Sequence, residues 1–330
     1  MKAPAPSVGF ERKEAVLIIN PAAHNVPALK RRREAEEWLR EAGWRFRWEQ
    51  TTGIGEATRI AARAAAAKVP LVLACGGDGT LNEVANGLAG TETALGTLPA
   101  GTSNIWAREA GISRKPVEAA RLMALGERRL IDLGKAGDRY FMLFAGIGID
   151  AQITRKVSLD MKRHVGAAAY GVAAIREAMR WRSRRMTVRL DGVEQRLDVL
   201  MAFAGNTRLY AGLTMITPNA IVDDGLLDVC IYQGAGKLDI AMHLARTLRQ
   251  SHGKAEKVLT KRVKRLEFDW DEPLPVQLDG DPIGDCPREI EVAPRCLWVV
   301  VPAGLRTGLF AGPGNQPQEA ELSLPRRQTG

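Results

Sequence analysis

Three glycines and one aspartate stand together in the stretch CGGDGTLNE, residues 75–83 of the 330-residue chain. Because glycine carries no β-carbon, Gly76, Gly77 and Gly79 allow a phosphate to approach the main chain closely. A predicted strand runs into the stretch and a predicted helix leaves it, and the N–H groups of a helix's first turn bind anions. The stretch matches neither the P-loop nor GxGxxG. We therefore predict a phosphate cradle of another kind; the simpler alternative is a strand-to-helix turn capped by Asp78.

The elements around this stretch alternate between strand and helix. Apolar runs predict strands over residues 15–20, 44–48, 71–74 and 94–98, and helical patterns cover residues 28–42, 56–68 and 80–88. This alternation is typical of a parallel sheet with helices on both faces, so we predict a three-layer, Rossmann-like α/β domain over residues 1–130. Ligands of such sheets bind beyond the carboxyl ends of the strands. Asn20, the glycine stretch and residues 99–102 all lie at such ends and are expected to converge.

The pattern changes after about residue 131, where short apolar runs separated by turns predominate. They predict strands over residues 140–145, 186–190, 197–204, 227–232, 266–270, 275–278 and 297–301, with helices over residues 166–181 and 238–250. We predict a β-rich, antiparallel sandwich domain over residues 131–303. Residues 304–330 form a C-terminal segment that ends in a frayed polar tail; whether it packs back on the first domain is left open.

Composition limits the classes of partner and compartment. The net charge of +9 favours anionic partners, which include phosphates, nucleic acid and acidic membrane surfaces. The four cysteines have no metal-knuckle or CxxC spacing, and no apolar run approaches the ~20 residues of a membrane span. We expect a cytoplasmic protein that meets a membrane only peripherally.

Two basic clusters are candidates for contact with an anionic membrane, at about 1 kcal/mol per residue. The alternative is that both clusters are simply solvent-exposed faces that bind no partner. Nucleic acid is not expected, because the clusters lack the interleaved aromatic platforms that single-stranded nucleic acid needs. The clusters consist of Arg176, Arg180, Arg182, Arg184 and Arg185, and of Lys254, Lys257, Lys261, Arg262, Lys264 and Arg265.

Several motifs in a fixed order carry a resemblance to a known family. They are Asn20-Pro21, Thr52 before a helix, GGDGTLNEVANGL at 76–88, LPAGTSN at 98–104, GIGIDA at 146–151, DDGLLDV at 223–229 and LDGDP at 278–282. In this order they resemble the diacylglycerol kinase catalytic-domain family, which includes bacterial lipid kinases and is related to sphingosine kinases. NAD kinases share GGDGT, but the following Asn-Glu and the PxGTxN segment favour a lipid kinase. The resemblance implies that ATP binds between an α/β nucleotide domain and a β-rich lipid-binding domain.

The resemblance also implies which residues contact the nucleotide. The glycine stretch would hold the phosphates, and the segment at 98–104 would line the same nucleotide. The segment at 98–104 could instead be only a tight turn, and Asn20 could instead be only a turn-forming residue, without contact to the nucleotide. The implied ATP-binding residues are Asn20, Thr52, Gly76, Gly77, Asp78, Gly79, Thr80, Asn82, Glu83, Gly101, Thr102 and Asn104.

The LDGDP motif corresponds to a family motif that usually reads DGE. Its last acid is identified there as the base that takes the proton of the lipid hydroxyl, and here that residue is Asp281. Asp78 is the rival base, or a carboxylate facing magnesium. Asp279-Gly280 is also a favourable hairpin turn, which is the alternative for this motif.

The DDGLLDV motif resembles the metal-binding loop of the family. The matching ligands are the carbonyl groups of Ile221 and Leu226 and the side chain of Asp224, and oxygen ligands of this type suit a hard cation. Asp223 and Asp228 could contribute through water, and a plain turn between strands is the alternative. A catalytic Mg²⁺ that accompanies ATP is expected in addition.

These features together predict an ATP- and Mg²⁺-dependent lipid kinase acting on diacylglycerol or a similar lipid. The alternatives are a soluble-substrate kinase like NAD kinase, or a non-catalytic nucleotide or lipid sensor. The sensor is favoured only by departures from the family pattern at Ala23, His24 and Ile105. A monomer and a homodimer are both left open.

Overall fold

The computed structural model describes residues 10–25, 29–156, 176, 178, 180–212, 214–234, 236–305 and 307–311. The helix predicted over residues 166–181 lies mostly outside the described residues, and the predicted polar tail lies wholly outside them.

The N-terminal part is a parallel sheet covered by helices. Its strands are ordered β4-β3-β1-β2 and all pair in parallel. Helix α1 packs against α5 and α2 against α3, and the strands β3 and β4 are buried at every residue, as expected for a sheet covered on both faces. The elements are β1 Glu14–Ile19, α1 Leu29–Glu41, β2 Arg45–Gln50, α2 Glu56–Ala66, β3 Leu71–Gly76, α3 Asp78–Leu88, β4 Ala94–Pro99, α4 Ile105–Glu109 and α5 Pro116–Leu125.

The C-terminal part consists mainly of antiparallel strands, as predicted. Its strands are β5 Glu127–Ala136, β6 Arg139–Phe141, β7 Phe144–Gly148, β8 Arg184–Leu190, β9 Val193–Gly205, β10 Leu209–Tyr210, β11 Thr214–Met215, β12 Leu227–Gln233, β13 Val258–Val263, β14 Arg265–Asp269, β15 Pro275–Leu278, β16 Asp281–Asp285 and β17 Glu289–Val301. Its described helices are α6 Ile149–Lys156, α7 Lys237–Leu248 and a short 3-10 helix, His252–Lys254.

Strand β17 joins the two parts. It pairs with β5 in antiparallel fashion and, through Val299 and Leu95, with β4 in parallel, so that fifteen of the described strands belong to one sheet. Leu309 and Phe310 are buried in the core of the N-terminal part. Strand β5 crosses residue 131, and the domain limits given above stay predictions.

The strand predicted over residues 140–145 is wrong in one respect, because the structure divides it into β6 and β7. The reason is local. The N–H groups of Met142, Leu143 and Phe144 donate to the side chain of Asp279. The interruption therefore follows from a carboxylate that lies more than 130 residues away in the sequence.

Candidate active site

The loops that follow β1, β3 and β4 meet at the carboxyl edge of the parallel sheet. Asn20 Nδ2 donates to Thr80 Oγ1 at 3.0 Å, and the N–H of Asn20 donates to the carbonyl of Cys75 at 3.0 Å. Asn25 Nδ2 donates to the carbonyl of Gly101 at 3.1 Å. The convergence predicted from the strand ends is therefore present, and side chains of the first loop hold the other two together.

Two of the glycines are required because a β-carbon there would collide with a neighbour, main chain at Gly101 and the Thr80 side chain at Gly76. A β-carbon on Gly101 would lie 2.5 Å from Gly77 Cα, and one on Gly76 would lie 2.4 Å from Thr80 Oγ1. Gly79 differs, because a β-carbon there would meet nothing within 4 Å and its backbone is not in the left-handed region. Gly79 stands in the first turn of α3 and faces open space. The fold itself gives no reason for glycine at this position.

A cavity of about 240 Å³ opens between the loops after β1 and β2 and the helices α2 and α3. Four predicted nucleotide-binding residues, Asn20, Thr52, Thr80 and Glu83, belong to its lining. The full lining is Asn20, Pro21, Ala22, Thr51, Thr52, Gly53, Ile54, Ala57, Thr80 and Glu83.

Two carboxylates hold together the elements around this cavity. Glu56 Oε2 accepts a hydrogen bond from the N–H of Thr52 at 2.8 Å and another from its hydroxyl. Glu83 Oε2 accepts from the N–H of Ala57 at 3.1 Å. These bonds connect the loop after β2 to α2, and α2 to α3.

The segment after β4 lies outside the lining of this cavity. Asn104 is buried and closes its own loop, since its side chain accepts from Gly101 N–H at 2.9 Å and donates to Gly101 carbonyl at 2.8 Å. Thr102 is exposed. Contacts of Gly101, Thr102 and Asn104 with a nucleotide stay predictions.

Asp78 connects the glycine loop to the start of α4. Its carboxylate accepts hydrogen bonds from Ile105 N–H at 3.0 Å and Trp106 N–H at 3.2 Å. Burial raises the pKa of Asp78, and these two N–H groups oppose that shift. Asp78 thus caps the N-terminus of α4, so its carboxylate has a structural role.

Asp279 fastens the β15–β16 turn to the N-terminal part. Its carboxylate accepts hydrogen bonds from the three main-chain N–H groups between β6 and β7, each at 2.8 Å, and from Asn82 Nδ2 at 2.6 Å. Burial raises the pKa of Asp279 to about 6, although all four donors lower it. Asn82, predicted to bind the nucleotide, is buried and uses its side chain to hold this turn.

Asp281 lies two residues further on and is placed differently. It begins β16 and is half-buried, and within the described part of the chain its carboxylate has no hydrogen bond or ion pair assigned. Burial raises its pKa, the positive charge of Arg139 lowers it, and the negative charge of Glu83 raises it further. Asp281 stands two residues after Asp279, and Glu83 of the cavity lining directly follows Asn82, so the hydrogen bond between Asn82 and Asp279 brings the two segments together.

Two buried polar residues beneath this turn, Gln277 and Asp150, were not predicted from the sequence. Gln277 Oε1 accepts from Gly280 N–H at 2.6 Å, and Gln277 Nε2 donates to Asp150 Oδ2 at 2.9 Å. The hydroxyl of Tyr210 donates to the other oxygen of Asp150. Burial raises the pKa of Asp150, and both donors oppose that shift. A sequence signal existed, because Gln277 is the one polar residue of the strand PVQL and Asp150 belongs to GIGIDA.

An arginine of the neighbouring strand β13 lies against the predicted metal loop. The guanidinium of Arg262 forms an ion pair with Asp224 and approaches Asp228, with 3.4 Å between Nε and Oδ2. Asp224 Oδ1 also accepts from Leu226 N–H at 3.0 Å. No group of three or more His, Cys, Asp or Glu side chains placed to hold a metal occurs among the described residues. The guanidinium thus already supplies positive charge where a cation would bind Asp224, so the fit to a metal ion is poor. Binding by Ile221, Asp224 and Leu226 stays a prediction.

Comparison with known families covers most of the chain. Residues 14–136 match the diacylglycerol kinase catalytic domain, and residues 144–301 match the YegS C-terminal NAD kinase beta sandwich-like domain. The chain belongs to the diacylglycerol kinase catalytic-domain family. This confirms the resemblance drawn from the motifs, and it makes the chain a member of a family of lipid kinases.

Curated relatives of this lipid kinase family align over nearly their whole length. A "probable lipid kinase YegS-like" protein of Pseudomonas putida is 34% identical over 84% of this chain and 91% of its own length. A "diacylglycerol kinase" of Bacillus subtilis is 29% identical over 88% of this chain and 97% of its own. The fold is similar to a solved diacylglycerol kinase of Bacillus anthracis str. Sterne, with a TM-score of 0.74 and 23% identity over 89% of this chain and 99% of that one.

Proposed function

We propose that this lipid kinase transfers the γ-phosphoryl group of ATP, with Mg²⁺, to the hydroxyl group of diacylglycerol or a similar lipid. The names of its relatives support the class of substrate. The observation that carries the proposal is the placement of Asp281, whose carboxylate has no hydrogen bond within the described residues. It stands two residues after Asp279, which Asn82 holds beside Glu83 of the cavity lining.

Nucleotide binding is assigned to the edge where the loops after β1, β2 and β3 meet. ATP, when bound there with Mg²⁺, supplies the phosphoryl group, and the metal offsets phosphate charge. Gly79 supports this placement, because its missing side chain leaves space beside the first turn of α3. The N–H groups of that turn bind anions, and Thr80 and Asn20 add polar side chains to the cavity.

Asp281 acts in this proposal as the general base that takes the proton from the lipid hydroxyl. A base needs an unoccupied oxygen within reach of its substrate. The oxygens of Asp78 and Asp279 are occupied by N–H donors, whereas those of Asp281 are not engaged by any described residue. Partial burial and the charge of Glu83 raise the pKa of Asp281, which makes it a better proton acceptor. The unoccupied oxygens and the raised pKa favour Asp281 over Asp78 as the base.

Asp279 and Gln277 position this base. Asp279, two residues before Asp281, accepts a hydrogen bond from Asn82 of α3. Gln277 accepts a hydrogen bond from the N–H of Gly280, the residue directly before Asp281. The base is thereby fixed relative to the helix that begins at the phosphate cradle. We also propose that residues 1–130 bind the nucleotide and that residues 131–303 bind the lipid.

The proposal is tested by incubating the chain with ATP and Mg²⁺ over a panel of acceptors. The panel contains diacylglycerol, monoacylglycerol and a sphingoid base in mixed micelles, and NAD in solution, and mass spectrometry identifies the product. We expect a phosphorylated lipid. Phosphorylation of NAD alone would establish the soluble-substrate alternative. Nucleotide binding without any phosphorylated product would establish the sensor alternative and would direct attention to Ala23, His24 and Ile105.

A further inference from the structure

Helix α7, Lys237–Leu248, has one buried face and one exposed apolar face. The buried face carries His243 and Thr247; the His243 ring lies 5.1 Å from the Tyr232 ring, and His243 Nε2 lies 2.7 Å from the carbonyl of Gln233. The opposite face carries Leu238, Leu244 and Leu248, which are 87%, 53% and 62% exposed. At 3.6 residues per turn the three leucines fall within an arc of about 120°. They form a continuous stripe, which we call the leucine face.

The charges around the leucine face have one sign. Lys237 and Arg249 are exposed at its two ends. Asp239 is the single acidic residue between positions 236 and 251, and its carboxylate is paired with Lys257 at 2.8 Å. An exposed apolar stripe with basic residues at its ends fits the boundary between acyl chains and anionic headgroups.

The leucine face is connected to the catalytic turn by a short series of contacts. Thr214 Oγ1 of β11 donates to the carbonyl of Thr247 at 2.9 Å. Thr214 pairs with Tyr210 in the β10–β11 hairpin, and Tyr210 donates to Asp150, which Gln277 joins to Gly280. Met215, the next residue of β11, is 39% exposed. The face therefore belongs to the same packed unit as the turn that bears Asp281.

We propose that the leucine face of α7 docks this kinase on the surface of an anionic lipid bilayer. The inference rests on the proposed function, because a kinase that phosphorylates a membrane lipid must reach it from the water side. None of the helices in the described part of the chain is long and apolar enough to cross a membrane. Docking through α7 inserts leucine side chains among the lipids and places Lys237 and Arg249 at the headgroups, while the β10–β11 hairpin extends from the bilayer toward the site.

Vesicle sedimentation tests the docking separately from catalysis. Phosphatidylcholine vesicles with and without phosphatidylglycerol are mixed with the wild-type chain and with three variants. We expect Leu244→Ser/Leu248→Ser to weaken binding at least about tenfold by removing inserted apolar surface. Lys237→Glu/Arg249→Glu should weaken binding to phosphatidylglycerol vesicles by a similar factor, and salt should shrink that difference. Leu125→Ser is the matched control, since Leu125 is 67% exposed on α5, and it should bind as wild type does.

A second assay separates failure of the docking from failure of the proposed function. Phosphorylation of a short-chain diacylglycerol dissolved without vesicles should be equal in all four proteins, whereas phosphorylation of vesicle-borne diacylglycerol should fall in parallel with binding. If no lipid is phosphorylated but vesicle binding follows the predicted order, the proposed function is wrong and the docking stands.

Three results would overturn the docking. One is equal vesicle binding by the wild-type chain and the leucine variant. Another is no binding by wild type. The third is a leucine variant that changes from dimer to monomer in size-exclusion chromatography without any change in vesicle binding, which would make the face a contact between copies of the chain.

Discussion

Substituting Gly101 by alanine should damage both stability and phosphoryl transfer. The new β-carbon would lie 2.5 Å from Gly77 Cα, and an ordinary contact begins at 3.4 Å, so the two loops must separate by about 0.9 Å. The nearest neighbour, Gly77, is main chain, which has no alternative rotamer, and the side-chain oxygen of Asn104 would lie 3.0 Å away. Overpacking of this kind costs about 1–3 kcal/mol. A displacement of about 1 Å between groups that position a substrate costs about 10²-fold in rate.

Gly79→Ala is the matched control for stability, because the same methyl group is added in the first turn of α3, where it meets nothing within 4 Å. In the first turn of α3 alanine should stabilise the fold by up to about 0.5–1 kcal/mol. The methyl group would nevertheless enter the space assigned to phosphate, so ATP affinity should fall. Urea unfolding gives the free energies of unfolding, and isothermal titration with ATP gives the affinities. If Gly101→Ala retains full stability and rate, or if Gly79→Ala binds ATP as tightly as wild type, the reasoning about the cradle is wrong.

Further predictions concern buried charges and the turn. The raised pKa of Asp279, about 6, means that the folded state binds this proton more tightly than the unfolded state, so protonation stabilises the fold as pH falls from 7 toward 4. Urea titrations give the difference in free energy of unfolding between wild type and Asp279→Asn. As the pH is lowered from 7 to 5, this difference should change by about 1.4 kcal/mol in favour of wild type, and a change in favour of the variant would contradict the prediction. Arg262→Met should lower the free energy of unfolding by about 3 kcal/mol, because Asp224 and Asp228 lose their counter-charge. Mg²⁺ could then replace that charge, so the melting temperature of the variant should rise with Mg²⁺ concentration. A wild-type chain already stabilised by Mg²⁺ without nucleotide would instead support the predicted metal loop. Gln277→Leu should lower kcat for lipid phosphorylation about tenfold or more while ATP affinity is retained, because Gly280 loses its acceptor, and an unchanged kcat would exclude this positioning role.

The parallel part of the fold was predictable because its signals are local. Continuous apolar runs predicted β1, β3 and β4, and alanine-rich or amphipathic runs predicted α1 and α2, with ends within two residues of those observed. The convergence of the loops also followed from the sequence, since all parallel strands end at one edge. Motif order was sufficient to identify the family.

The roles of individual carboxylates were not predictable. Asp78, Asp279 and Asp281 are the same residue type beside glycine, yet the first two are occupied by main-chain N–H donors from distant segments. In the predicted basic cluster at residues 254–265, Lys257, Lys264 and Arg265 are exposed. Arg262 of β13 is instead half-buried and pairs with Asp224. Such pairings depend on which strands become neighbours, and that information is not local.

The most direct test of the central claim compares Asp281→Asn with wild type in two measurements: the affinity for ATP and the single-turnover rate of phosphoryl transfer to diacylglycerol. We predict an unchanged ATP affinity and an unchanged free energy of unfolding, with a transfer rate reduced about 10²- to 10⁴-fold, as expected for the loss of a general base. A transfer rate within a few-fold of wild type in the folded variant would contradict the assignment of Asp281 and, with it, the proposed arrangement of the site.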